Sequence, residues 1–214
     1  MDPYAMLEEM FESEAALVGF LGTFLVIMLV LLVVLWAYAI AAYVLHSLGL
    51  YKIAKRRGIH NPWLAWLPIG QSWILGNISD HFQHVTKAKQ RKFRIVLAVM
   101  EAVMYVWMVL YFVVVMGSAF SMAFVAEGGA NAGAVFGFMG TAFLMVFLLM
   151  AIAVTYSVFA YLAYYDLFKS CKPDNAVLFL VLSIFVNVTL PFFIFACRNS
   201  DEGLPPKIRN TVNS

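Results

Sequence analysis

Charge is what this chain has least of. Only 12% of its 214 residues are charged, where a soluble domain carries roughly 25%. Hydrophobic residues make up 64% and the mean hydropathy is +0.87. A globule of this size has too much surface for its volume to hide so many apolar side chains, which excludes a soluble enzyme and a disordered chain. With two cysteines, a secreted disulfide scaffold is excluded as well. Also missing are a G-x-S-x-G elbow, a Walker loop, H-E-x-x-H, a dinucleotide fingerprint and a paired-cysteine zinc pattern. The chain therefore reads as non-enzymatic, with no cofactor, and the class that remains is a polytopic membrane protein.

Four apolar segments are long enough for a hydrocarbon core, which takes about 20 helical residues. They cover 15–45, 95–124, 134–165 and 176–197. None shows the two-residue alternation of barrel strands, so helices are expected. The expected fold is an all-α four-helix transmembrane bundle treated as a single membrane domain, 1–214.

Charge sets the expected orientation. The segment 46–94 holds nine of the fourteen Lys and Arg and one acid, Asp80, for a net +8. The first sixteen residues carry Asp2, Glu8, Glu9, Glu12 and Glu14 and no base. Cytoplasmic flanks collect Lys and Arg. The acidic tail 1–14 is then outside, 46–94 inside, the loop 125–133 outside, the turn 166–175 inside and the tail 198–214 outside. The acidic start also argues against a cleavable signal peptide. Met6, Leu7, Met10 and Phe11 are spaced as one helical stripe ahead of the first span. In this topology Cys171 and Cys197 fall at opposite ends of the membrane and cannot pair, because bridged Cα atoms lie within about 7 Å.

The stretch between the first two spans says most. Lys52, Lys55, Arg56 and Arg57 crowd a helix end, where cations complement the negative pole. Gly58 suits the C′ position. Asn61 and Pro62 read as an N-cap and N1 pair. The element that follows, 61–80, has nearly the length of a span but is interrupted by Pro68 and Gly70. Crossing there would export the bases of 87–94, so a cytoplasmic in-plane or re-entrant hairpin is expected instead. Trp63, Trp66 and Trp73 favour the headgroup level. Lys87, Lys89, Arg91, Lys92 and Arg94 follow, and such clusters attract anionic lipid at about 1 kcal/mol per basic residue. Nucleic acid fits less well, since no recognisable module is present and the charge abuts a span. His81 and His84 beside Asp80 are spaced as metal ligands, yet no fourth ligand is evident, and solvated histidines are expected.

The string Tyr51-Lys-Ile-Ala-Lys-Arg-Arg-Gly-Ile59 and then Asn61-Pro-Trp-Leu-Ala-Trp-Leu-Pro68, closing with Trp73-Ile-Leu-Gly76 and Asp80, resembles an uncharacterised family of firmicute-type bacterial multi-span membrane proteins. Its pattern is a basic helix end followed by Gly-Ile-x-x-Pro-Trp-x-Ala-Trp-x-Pro. The resemblance covers about 30 residues. It implies a bacterial cytoplasmic membrane and transfers no catalytic residue.

Glu101 is the only acid well inside a predicted span. An ionisable group there is a functional candidate by default. A layer at matching depth would join it to Ser183, Ser157, Tyr161 and Tyr38, with Tyr105 and Arg94 on its own face. In span four, Pro191 cannot donate to the carbonyl of Asn187, which suggests a kink. Two functions follow. One is a membrane accessory or scaffold that grips anionic lipid or a membrane partner through its Trp-rich, basic segment. The other is a small oligomeric transporter or channel with a polar path at Glu101 and Asn187.

Overall fold

The computed structural model describes residues 3–88, 91–126 and 132–205. Lys89, most of the loop 125–133 and residues 206–214 lie outside them, as do the side chains of the acidic segment 1–14. Every regular element described is helical: α1 (Pro3–Arg56), α2 (Pro68–Lys87), α3 (Phe93–Ala126), α4 (Ala132–Cys171), α5 (Ala176–Phe185) and α6 (Leu190–Cys197). The chain divides into two units, 1–44 and 45–214. The first is the leading part of α1, whose apolar residues are exposed from Val18 to Trp36. The second holds the hydrophobic core.

Local chemistry ends α1 where expected. Gly58 takes φ 65°. Its N–H donates to the Lys55 carbonyl (3.3 Å), and Ile59 N–H donates to the Ala54 carbonyl (3.0 Å), the paired bonds of a Schellman closure. Asn61 takes the expected N-cap position, ahead of Pro62 at the helix start. It is left-handed (φ 58°) with no side-chain cap, and its carbonyl accepts from Leu64 N–H (3.2 Å). Pro62 then opens a 3₁₀ turn, Pro62–Trp66. Leu67 is extended, and Pro68 opens α2. The interruption expected inside the 61–80 hairpin thus falls at the start of one uninterrupted 20-residue helix. Proline lacks a donor but fits a first helical turn, where none is needed.

Ser72, Leu75, Gly76, Ser79, Phe82 and Gln83 form the buried face of α2, recurring at helical spacing. That face packs against α3 and α4. A Cβ at Gly76 would fall on the backbone of Phe93 and Arg94, so α2 and α3 meet backbone to backbone. Four residues on, Asp80 accepts from Phe93 N–H (3.0 Å) and Arg94 N–H (3.2 Å). It caps the donors that a helix start leaves unpaired.

Among the described residues, three helices are long and apolar enough to cross a membrane: Val18–Arg56, Phe93–Phe120 and Phe136–Cys171. α3 and α4 pack together, and Trp107 Nε1 donates to the Met145 carbonyl (3.2 Å). Beyond that seam their residues are bare, with Val106 and Phe147 each 68% exposed and Phe143 77%. A soluble monomer rarely shows so large an apolar surface.

The fourth predicted span is corrected. Residues 176–197 form two helices of ten and eight residues, α5 and α6, broken at Val186 and a 3₁₀ turn over Asn187–Thr189. Neither reaches the length of a span. Phe179 and Phe193 stack at 4.6 Å, and residues placed evenly about the break meet only if the two helices fold back on each other. Both rings rest on Phe168 of α4. The chain thereby returns to where it began. Glu202 N–H donates to the Cys171 carbonyl (3.1 Å) and Gly203 N–H to the Ser170 carbonyl (3.2 Å). Cys171 and Cys197, expected at opposite ends, are buried, free and in contact, and residues 198–205 sit against the ends of α1 and α4.

Candidate functional site

The loop that follows α1, the stretch of α2 from Trp73 to His84 and the start of α3 line an open cavity of about 950 Å³. Arg57, Arg91, Lys92 and Arg94 bring four cations to it, and Asp80 is the one carboxylate in its wall. His60, His81, His84 and Asn77 complete the polar lining. Burial pushes the Asp80 carboxyl up, against the pull of the two backbone N–H groups, Arg94 and Arg91. Burial, then Arg57 and His84, hold the His81 imidazole below its ordinary value. A second, apolar groove of about 510 Å³ is lined by Leu64, Leu67, Pro68, Trp73, Ala98 and Tyr105, among others.

The basic strip is partly engaged. The Arg94 guanidinium lies over the Trp73 ring (5.7 Å) and near Asn77 Oδ1 (3.4 Å). Arg91 lies over Phe93 (5.1 Å) and 3.9 Å from the Asp166 carboxylate. Lys87 and Lys92 are exposed. Trp63 and Trp66 are exposed on the 3₁₀ turn, whereas Trp73 is half-buried against the core.

Two buried carboxylates lock the surrounding frame. Asp166, near the end of α4, accepts from Ser79 Oγ (2.7 Å) and Gln83 Nε2 (2.6 Å) of α2. Asp201 accepts from Arg57 Nη2 (2.8 Å) and Nε (3.1 Å) and pairs with Arg56 (2.8 Å). Arg57 Nη2 also donates to Ser170 Oγ (2.9 Å). Spacing alone gives Arg57 a dipole-complementing role at a helix end, yet its side chain is fully buried.

Glu101 joins a different set from the expected layer. Its carboxyl faces Ser72 of α2, and Ser72 Oγ shares a 2.7 Å bond with the Tyr156 hydroxyl. Glu101 Oε2 is buried without a partner. Further along, His46 Nε2 and the Tyr164 hydroxyl lie 3.1 Å apart, and Gln71 Nε2 donates to Ser47 Oγ (2.9 Å). Ser183 and Ser157 instead turn back on their own helices, to the carbonyls of Phe179 and Ala153. Asn187 is exposed at the α5–α6 break. The structure thus brings neither Ser183 nor Asn187 into the Glu101 set.

Ser72, Asn77, Ser79, Gln83, Asp166 and Asp201 escaped the sequence reading. A signal existed for three of them. Ser72, Ser79 and Gln83, with Gly76, recur at helical spacing along one face, as on a helix packed by polar contacts. His81 and His84 both reach the cavity. Among the described residues, no three His, Cys, Asp or Glu are grouped to hold a metal ion. No family model, no curated protein and no solved structure matches the chain.

Proposed function

We propose that this chain is an integral membrane accessory protein whose basic end engages anionic lipid. One observation carries the reading. The polar and charged groups concentrate where α1 ends and α3 begins, while the far halves of α3 and α4 are bare apolar surface. α1, α3 and α4 would cross the membrane, and α5–α6 would dip into it and return. The basic segment and residues 198–205 would share the cytoplasmic side, with the N-terminus outside. That placement agrees with the excess of Lys and Arg and gives the weakly basic tail a natural side. Exposed Trp63 and Trp66 would sit among headgroups, with Lys87 and Lys92 drawing anionic lipid. The motif resemblance supports a bacterial cytoplasmic membrane.

The test uses brominated lipids on a chain in which Trp36 and Trp107 are changed to Phe. Brominated phosphatidylglycerol should quench the remaining tryptophans more strongly than brominated phosphatidylcholine, and salt should narrow the difference. Equal quenching by both lipids at low salt would end the anionic-lipid reading. Cysteines placed at Lys92 and Glu202 should react with an impermeant maleimide from the same face of the membrane; reaction from opposite faces would restore a fourth span.

A second reading, a small oligomeric transporter or channel, draws on the unpartnered Glu101 Oε2 in its line of hydroxyls. Asn187 adds nothing to it, being exposed at the α5–α6 break.

A further inference from the structure

The cationic cavity and the apolar groove have a wall in common: Leu64 and Trp73 line both. Trp73 divides two chemistries. Tyr105, Ala98 and Leu67 line the groove with it, and over its face lies the Arg94 guanidinium (5.7 Å). The cavity side is short of negative charge. Asp80, its one wall carboxylate, already accepts two backbone N–H groups of α3. Of the cavity's cations, Arg57 is fully buried and already held by Asp201, whereas Lys92 and Arg94 are exposed. Exposed cations in the cavity wall favour an occupant that brings acceptor oxygens. The groove favours one that also brings hydrocarbon.

We propose that the adjoining cavity and groove bind one phosphate-bearing anionic lipid, its phosphate between Lys92 and Arg94 and its acyl chain along Leu67 and Ala98. Basic pockets between membrane helices on the cytoplasmic side suit such headgroups. A zwitterionic lipid brings a choline that exposed Lys92 and Arg94 repel. The inference rests on the lipid reading above and narrows it from a general attraction to a single site.

Native mass spectrometry of the full chain released from detergent tests it, with phosphatidic acid, phosphatidylcholine of the same chains and inorganic phosphate as probes. Phosphatidic acid should saturate at one per chain and bind at least about tenfold more tightly than either other probe. Arg94→Gln should weaken phosphatidic acid about tenfold. Ala98→Trp, which fills the groove, should do the same while leaving inorganic phosphate unchanged. If Arg94→Gln fails to fold, Lys92→Gln, at an exposed position, replaces it. Unsaturable binding, equal binding of phosphatidylcholine, no effect of Ala98→Trp, or inorganic phosphate binding as tightly as the lipid would each overturn the site. Should the site fail while brominated phosphatidylglycerol still quenches selectively a chain in which Trp73 is also changed to Phe, leaving Trp63 and Trp66, the broader reading stands; if both vanish, both fall.

Discussion

Arg57 and Asp201 stand 144 positions apart in sequence and 2.8 Å apart in space. Their bond ties the last turn of α1 to the segment following α6, and the carboxylate holds Arg56 as well (2.8 Å). Because Arg57 is fully buried, the bond matters most for what its loss leaves behind.

Asp201→Asn should therefore destabilise the chain by about 3–5 kcal/mol, the cost of stranding one partner of a buried pair. The thermal midpoint in detergent should fall, and Cys171 and Cys197, now buried, should become reactive to maleimide. Asp201→Glu keeps the charge and should recover part of the loss. An unchanged midpoint in Asp201→Asn would mean that the tail contributes nothing to the fold.

Gly76→Ala tests the contact of α2 with α3. The new methyl would meet the backbone of Phe93 and Arg94, which cannot rotate aside. Forcing the helices apart should cost about 1–3 kcal/mol and strain the Asp80 cap. Gly140→Ala is the control, since nothing lies within 4 Å of its would-be Cβ. There alanine should be neutral or add up to about 1 kcal/mol through helix propensity. Equal effects of the two substitutions would refute the close approach.

Glu101→Gln separates the two functional readings. In an accessory protein the amide keeps a polar group opposite Ser72, and the stability should change by less than about 1 kcal/mol, the usual scale of such contacts between membrane helices. Proteoliposomes should show no proton-driven cation uptake in either form. Uptake in the unsubstituted chain that Glu101→Gln abolishes would make Glu101 a transport site.

His81 should make the fold acid-sensitive. Its pKa is depressed on folding, so the neutral ring is favoured, and that stability is complete above the ordinary 6.5 and is lost as pH falls through the lower folded value. Arg57 and His84 act on it directly, and His60, Asp80, Arg91, Lys92 and Arg94 line the same cavity. Asp80 has the opposite sign. Its pKa is raised, so its contribution is complete below 3.8 and fades as pH rises through the folded value. The midpoint should drop on acidification from pH 7, and His81→Gln should flatten the drop. A slope unchanged by His81→Gln would show that another group titrates.

Much of the secondary structure was legible because it depends on neighbours in sequence. The Schellman closure needed only Gly58 after a helix, and the break near Pro191 followed from its missing donor. Two readings failed where length was taken for direction. Pro68 and Gly70 looked like the middle of an interrupted element, but proline opens a helix as readily as it breaks one. The apolar run 176–197 has the composition of a span, and only the stacking of Phe179 on Phe193 shows that it doubles back.

The amino-acid order alone determined that this is a helical chain with runs apolar enough for a membrane, and that its basic residues gather in one segment. Those properties are sums and periodicities along the chain. Tertiary structure alone decided that Arg57 is buried on Asp201, that α2 packs by its polar face on Asp166, and that a cationic cavity shares Trp73 with an apolar groove. Each is a meeting of residues distant in sequence. Hydropathy and charge state what a residue prefers to lie near, and packing chooses which neighbour it meets.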